Sequence, residues 1–222
     1  MTPVVGWSVV VPLKPLHHAK SRLRGLPVPV RRALVVAMAC DVRDAVLACH
    51  GVEEVVVVTR DPLWRGILGV RRLRFVVDPP TDSLNDALHR GAATCRTAPP
   101  GHGVAALTAD LPALRPAELG LALGQADAAS TFFVPDARGD GTTLFAARSP
   151  AQFWPQYGVD SRARHIGAGA LEVHRPELAG IRHDVDTMED LMRARALGLG
   201  RHTDAVMATI LDAVPTPCLI GD

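Results

Sequence analysis

Lysine is almost missing from this 222-residue chain: against 22 arginines there are only Lys14 and Lys20. Asparagine is scarcer still, with Asn85 alone. Cysteine is limited to Cys40, Cys49, Cys95 and Cys218, none of them in a Cys-x-x-Cys pair and most on apolar helical faces. That pattern argues against zinc and against a disulfide framework, and for buried free thiols. Charge of one sign is lacking too. With 24 basic and 23 acidic residues the net charge is +1, too small a footprint for duplex nucleic acid or an anionic membrane. No apolar run is long enough to span a bilayer, and the opening run reaches Lys14 with no basic region before it, so neither a membrane helix nor a signal peptide is expected. Together these absences leave a globular protein of the cytoplasm, with residues 1–222 forming a single domain.

The two lysines fall in one stretch, VVVPLKPLHHAKSRL, where a strand gives way to a loop. Two ammonium groups kept so close suit a site that needs compact, mobile point charges of the kind that hold phosphates, a role the planar guanidinium fork fills differently. Short β-branched runs bounded by turn residues predict strands buried on both faces at Trp7–Val11, Val55–Thr59, Leu73–Val77, Val104–Thr108 and Thr131–Val134. Helical spacing lies between them. Leu34, Met38, Val42 and Val46 form one stripe within Val30–Cys49, Ser83 is placed to cap a helix through about Cys95, Pro116 opens another, and a terminal helix follows Gly200. Such alternation predicts a three-layer α/β/α, Rossmann-like fold with a mostly parallel sheet, whose ligands bind outside the carboxyl ends of the strands.

The polar motifs fall at those ends. Strand three runs into Asp78 and PPTDSLND, strand four into Asp110 of LTADLPAL, and strand five into PDARGDGTT. In IRHDVDTMEDL, Asp184 and Asp186 are expected on one face of a strand, with Asp186 or Thr187 capping the helix that begins at Met188. Mg²⁺ is held by one or two carboxylates plus phosphate oxygens, so a pair drawn from Asp110 and Asp186 would suffice. GDGTTLF offers Gly141, Thr142 and Thr143 as donors, and QYGVDSRARHIG sets Gly158 and Ser161 at a helix start with Arg162, Arg164 and His165 nearby, an arrangement suited to an anion.

Read together and in order, PLKPLHHAKSRL, SLNDAL, ADLPAL, GDGTTLF, YGVDSRARH and DVDTMEDL resemble the phosphoenolpyruvate/2-phospho-L-lactate guanylyltransferases of coenzyme F420 biosynthesis, over nearly the whole chain. A looser similarity reaches the nucleotidyltransferases that activate sugars, molybdopterin and methylerythritol phosphate. The resemblance implies a nucleotide-diphospho-sugar-transferase-like fold and transfer of GMP from GTP to a phosphorylated three-carbon acid, with phosphoenolpyruvate favoured in the bacterial branch. It also implies that Lys14, Lys20, Ser21 and Arg22 grip the triphosphate and that Asn85 and Asp86 lie near the nucleotide. Asp110 and Asp186 would hold Mg²⁺ with Asp184 as a further ligand, and Thr143, Gly158 and Ser161 would hold the acceptor. Lys14, Lys20, Arg22 and Asp110 would carry the catalysis. Tyr157 stands where the family has Phe as often, and His17 and His18, for which the resemblance implies no role, read as solvated loop residues. The rival readings are a molybdopterin- or sugar-phosphate-type nucleotidyltransferase, or a non-catalytic nucleotide-binding module. Oligomeric state stays open, a homodimer being compatible with the sequence.

Overall fold

Period-two alternation in the valine runs decides which core each side chain enters. In the computed structural model, which describes residues 6–18, 23, 25–79, 83–95 and 101–212, strands β1 (Gly6–Leu13), β2 (Val52–Thr59) and β4 (His102–Leu107) lie at the centre of the sheet. Val9, Val11, Val55 and Val57 face one core, shared with α1 (Val28–Ala48), α2 (Leu63–Leu68) and α4 (Pro116–Leu123). Val10, Val56 and Val58 point the other way, onto Leu88 of α3 (Leu84–Thr94). Helix α3 sits close on this face: a Cβ on Gly91 would lie 2.5 Å from a methyl of Val10 and 2.7 Å from one of Val58.

Among the described residues seven strands run in the order β3-β2-β1-β4-β6-β5-β7, where β3 is Leu73–Val77, β5 Thr131–Pro135, β6 Thr142–Ala147 and β7 Leu171–Glu172. All neighbouring pairs are parallel except those of β6, which is antiparallel to both β4 and β5. The reversal is made at the turn after β5, where the Asp136 carboxylate accepts from the N–H groups of Gly139 (2.7 Å) and Asp140 (3.2 Å) and Gly139 takes φ +86°. In consequence the first residues of β6 lie at the same sheet edge as the last residues of β1, β2 and β4.

Two sequence expectations need correction. Strand β3 is not buried on both faces: as an edge strand it is only half covered, and Val77 is 74% exposed. Asp184 and Asp186 do not sit on a strand either. They follow the four-residue helix α6 (Ala179–Arg182), in extended chain tied to the β4 loop by the Val185 N–H, which donates to the Asp110 carbonyl at 3.0 Å. Alternation still holds locally, since Val185 is fully buried while the aspartates on either side reach the cleft.

Elsewhere the expected starts are found. Ser83 caps α3 and Thr187 caps α7 (Met188–Leu197), each in a reciprocal capping box with Asp86 and Asp190. The terminal helix α8 (Arg201–Asp212) has its N-terminal amides covered from another helix, with Asp41 of α1 accepting from His202 N–H (2.9 Å) and Thr203 N–H (2.8 Å). Cys40, Cys49 and Cys95 are buried free thiols; Cys218 lies outside the described residues.

Candidate active site

The carboxyl ends of β1, β2, β3 and β4 open onto a cleft of about 980 Å³. Lys14, Asp110, Gly158, Asp184 and Asp186, drawn from across the chain, all line it. Lys14 is exposed, directly after β1, and its backbone is fixed from behind: the fully buried Trp64 donates its indole N–H to the Lys14 carbonyl at 3.0 Å. Asp61 accepts the Leu16 N–H at 3.0 Å and the Leu63 N–H at 3.0 Å, so one carboxylate ties the β1 loop to the start of α2. A mobile ammonium on an anchored backbone can follow a phosphate without disturbing its loop. Lys20, Ser21 and Arg22 lie outside the described residues.

On the opposite wall Asp110 faces the cleft from the loop after β4, drawn to the Asp184–Asp186 segment by the Val185 bond. Among the described residues no three acidic, histidine or cysteine side chains converge as a ready metal cage. Arg138, which sequence reasoning passed over, stands beside this acidic group. Its guanidinium donates to Asp190 at 2.7 Å. Burial works against the Arg138 charge, but Asp190, Asp184 and Asp186 outweigh it and raise its pKa. Asp190 is opposed by burial in the same way, yet donors from Thr187, the Asp186 backbone and Arg138 hold its pKa below the ordinary carboxylate value.

The third wall is built around α5 (Ser161–Gly167), and here the polar groups answer one another. Gly158, at φ +120°, lines the cleft. Thr143 and Ser161 are buried behind it: the Thr143 hydroxyl donates to the Val134 carbonyl at 3.4 Å and the Ser161 hydroxyl to Thr142 Oγ1 at 3.2 Å. His165, which the sequence sets beside Arg162 and Arg164, is fully buried and stacked on Phe145 at 4.7 Å. Its Nε2 accepts the Gln156 N–H at 2.9 Å, which leaves the ring proton on Nδ1, 3.0 Å from Thr142 Oγ1. Burial, reinforced by the Arg164 charge, drives the His165 pKa down to about 4, so the ring is neutral. Arg162 instead pairs with Glu172 at 3.0 Å, and Arg164 bonds the Val159 carbonyl. Helix α5 is only seven residues long, so its dipole adds little to an anion site.

Asn85 and Asp86, expected near a nucleotide, have their side chains engaged elsewhere. Asn85 clasps the backbone of Tyr157 from both sides, Oδ1 accepting its N–H at 2.8 Å and Nδ2 donating to its carbonyl at 3.1 Å. Tyr157 in turn donates its hydroxyl to the Ala106 carbonyl at 3.0 Å, which fixes the chain entering Gly158 to β4. Asp86 accepts from Ser83 in the α3 capping box and is exposed.

This fold recurs in solved structures. A protein from Desulfovibrio desulfuricans G20 described as a nucleotide-diphospho-sugar transferase superposes with a TM-score of 0.64 at 16% identity, covering 91% of this chain and 97% of the other. The 4-diphosphocytidyl-2C-methyl-D-erythritol synthase of Anaerococcus prevotii gives 0.55 at 14% identity, covering 86% and 95%. At these identities the likeness speaks to fold alone. Sequence relatives are nearer: a phosphoenolpyruvate guanylyltransferase of Thermomonospora curvata is 50% identical over 202 residues, 91% of this chain and 89% of the relative. One of Streptosporangium roseum with the same name is 46% identical over 212 residues, 96% and 95% of the two chains. The family model described as "Guanylyl transferase CofC like" matches residues 7–211, and with these relatives it shows that the chain belongs to that family.

Proposed function

We propose that this protein transfers GMP from GTP to phosphoenolpyruvate and releases pyrophosphate, a step of coenzyme F420 biosynthesis carried out in the cytoplasm. The observation that carries this reading is the convergence of Lys14, Asp110, Gly158, Asp184 and Asp186 on one cleft, in a chain 50% identical to a protein named for that reaction.

The chemistry asks little of the protein beyond placement and charge. An acceptor phosphate is already anionic at neutral pH and attacks the α-phosphorus of GTP directly, pyrophosphate leaving in line on the opposite side. No general base and no covalent enzyme intermediate are required. Lys14, together with Lys20 and Arg22, neutralises the triphosphate and then the departing pyrophosphate, with Ser21 next to them in sequence. Asp110 and Asp186 are the carboxylates that would hold Mg²⁺, with Asp184 as a further ligand; hard oxygen donors without a closed cage suit an ion whose remaining ligands arrive as phosphate oxygens. When bound, Mg²⁺ supplies charge neutralisation at the reacting phosphate. Arg138 holds Asp190, whose carboxylate accepts the Asp186 N–H at 3.1 Å, and so orients the acidic segment. The acceptor lies against Gly158, backed by Thr143 and Ser161, in a wall whose shape is set before it binds.

Pyrophosphate release measured over a matrix of nucleoside triphosphates and phosphorylated three-carbon acids tests the reading. Turnover should be greatest with GTP and phosphoenolpyruvate and should vanish when magnesium is chelated. Faster turnover with a sugar phosphate, or with CTP, would overturn it.

A further inference from the structure

We infer that Asp78 reads the nucleotide's purine, one carboxylate oxygen accepting the N1–H that guanine carries and adenine lacks, with the guanine 2-amino group beside it. This rests on the guanylyl-transfer reading above. Asp78 directly follows β3 and lines the cleft. Its two oxygens differ. Oδ2 is held by Arg60, accepting from Nε at 3.2 Å and Nη2 at 2.8 Å. Oδ1 is buried and, among the described residues, has no hydrogen-bond partner. A carboxylate oxygen taken out of water and given no donor is costly, so the site gains from any ligand that brings one.

Position supports the same assignment. The order β3-β2-β1-β4 puts Asp78 three strand spacings, about 14 Å, from the Asp110 loop. That is roughly the reach of a nucleotide from its α-phosphate to the far edge of its base. Leu84 and Ala87 of α3 line the cleft as well and offer apolar surface to a planar ring. The chemistry then discriminates. Guanine presents two donors on this edge, hypoxanthine keeps only N1–H, adenine turns a lone pair toward the carboxylate, and xanthine has a carbonyl in place of the amino group.

The test is kcat/KM for pyrophosphate release with phosphoenolpyruvate and GTP, ITP, XTP or ATP, for the unaltered protein and for Asp78→Asn. In the variant the amide oxygen keeps the Arg60 bonds while the NH₂ takes the place of Oδ1 and can donate to the xanthine 2-carbonyl. The unaltered protein should favour GTP over ITP by about tenfold, and the variant should lose about a hundredfold with GTP while gaining on XTP. A variant that keeps the original nucleotide order overturns the inference. So does a folded variant that loses GTP and XTP alike, since Asp78 would then only support its loop. Equal use of GTP and ITP by the unaltered protein overturns it without any variant, which covers the case of Asp78→Asn failing to fold. If the unaltered protein releases no pyrophosphate from any of the four, the guanylyl-transfer reading itself has failed, and the inference falls with it.

Discussion

Along the β1–β3 side of the cleft polar groups stand open to a ligand, whereas around β6 and α5 they are spent on one another. Lys14 is exposed, and Asp78 Oδ1 has no partner among the described residues. Across from them, Thr142, Ser161 and His165 form a closed set of hydrogen bonds, and Asn85 holds Tyr157 by two more. The difference follows from what each side is proposed to bind. A nucleoside triphosphate brings many charges and hydrogen-bonding groups, so it can complete a wall that is unfinished without it. A three-carbon acid has few atoms with which to order a loop, and a wall shaped in advance spares it that cost.

The contrast is broken most severely at the acidic group. Asp110→Asn should lower kcat by a hundredfold or more, on the order of the few kcal/mol typical of one lost electrostatic contact in a transition state. Asp110 is only partly buried in a cleft wall, so the melting temperature should move little. Steady-state kinetics beside thermal unfolding check both parts. A magnesium-dependent variant with normal turnover would remove Asp110 from the metal site.

The closed side makes a different demand, on pH. His165 titrates near 4 in the folded chain against 6.5 when unfolded, so between those values the unfolded chain binds more protons and stability rises with pH. Acidification from pH 6.5 to 4 should therefore strip away stability on the order of 3 kcal/mol through this one ring. His165→Gln, which cannot protonate, should be less stable at neutral pH yet show a flatter decline over the same window. Urea unfolding of both proteins across that range checks it. Parallel pH curves would mean that His165 is not the group being forced neutral.

How far the sequence revealed these two sides depended on the range of the interactions. Strand runs such as Val55–Thr59 and caps such as Ser83 and Thr187 are local, and the structure has them where their residue types put them. The reversal of β6 had a local signal as well, the Asp136–Gly141 turn, but a glycine-rich loop before a strand does not state the direction of return. Beyond that reach lay the clasp of Asn85 on Tyr157, 72 residues away, and the support of Lys14 by Trp64, 50 residues away. The state of His165 was out of reach as well: the sequence sets it beside Arg162 and Arg164, and only the stacking on Phe145 and the Gln156 N–H make it a neutral acceptor.

The smallest expected effect is at Ser161, and it separates a contact from a support. Ser161 is 2% exposed and its hydroxyl proton points to Thr142, so an acceptor anion could receive that proton only if the Thr142 bond were given up. Ser161→Ala should cost about 1 kcal/mol of stability, the net value of a buried hydrogen bond. It should also raise the KM for phosphoenolpyruvate, by up to about tenfold, with the KM for GTP unchanged, because the wall behind Gly158 loosens while the open side is untouched. Thr142→Val, which breaks the same bond from its other end and also takes the acceptor from His165 Nδ1–H, should raise the acceptor KM in the same way at a larger cost in stability. If Ser161→Ala alone raises the acceptor KM and leaves stability intact, the hydroxyl turns outward to meet the acceptor. The α5 side would then be as dependent on its ligand as the β1–β3 side.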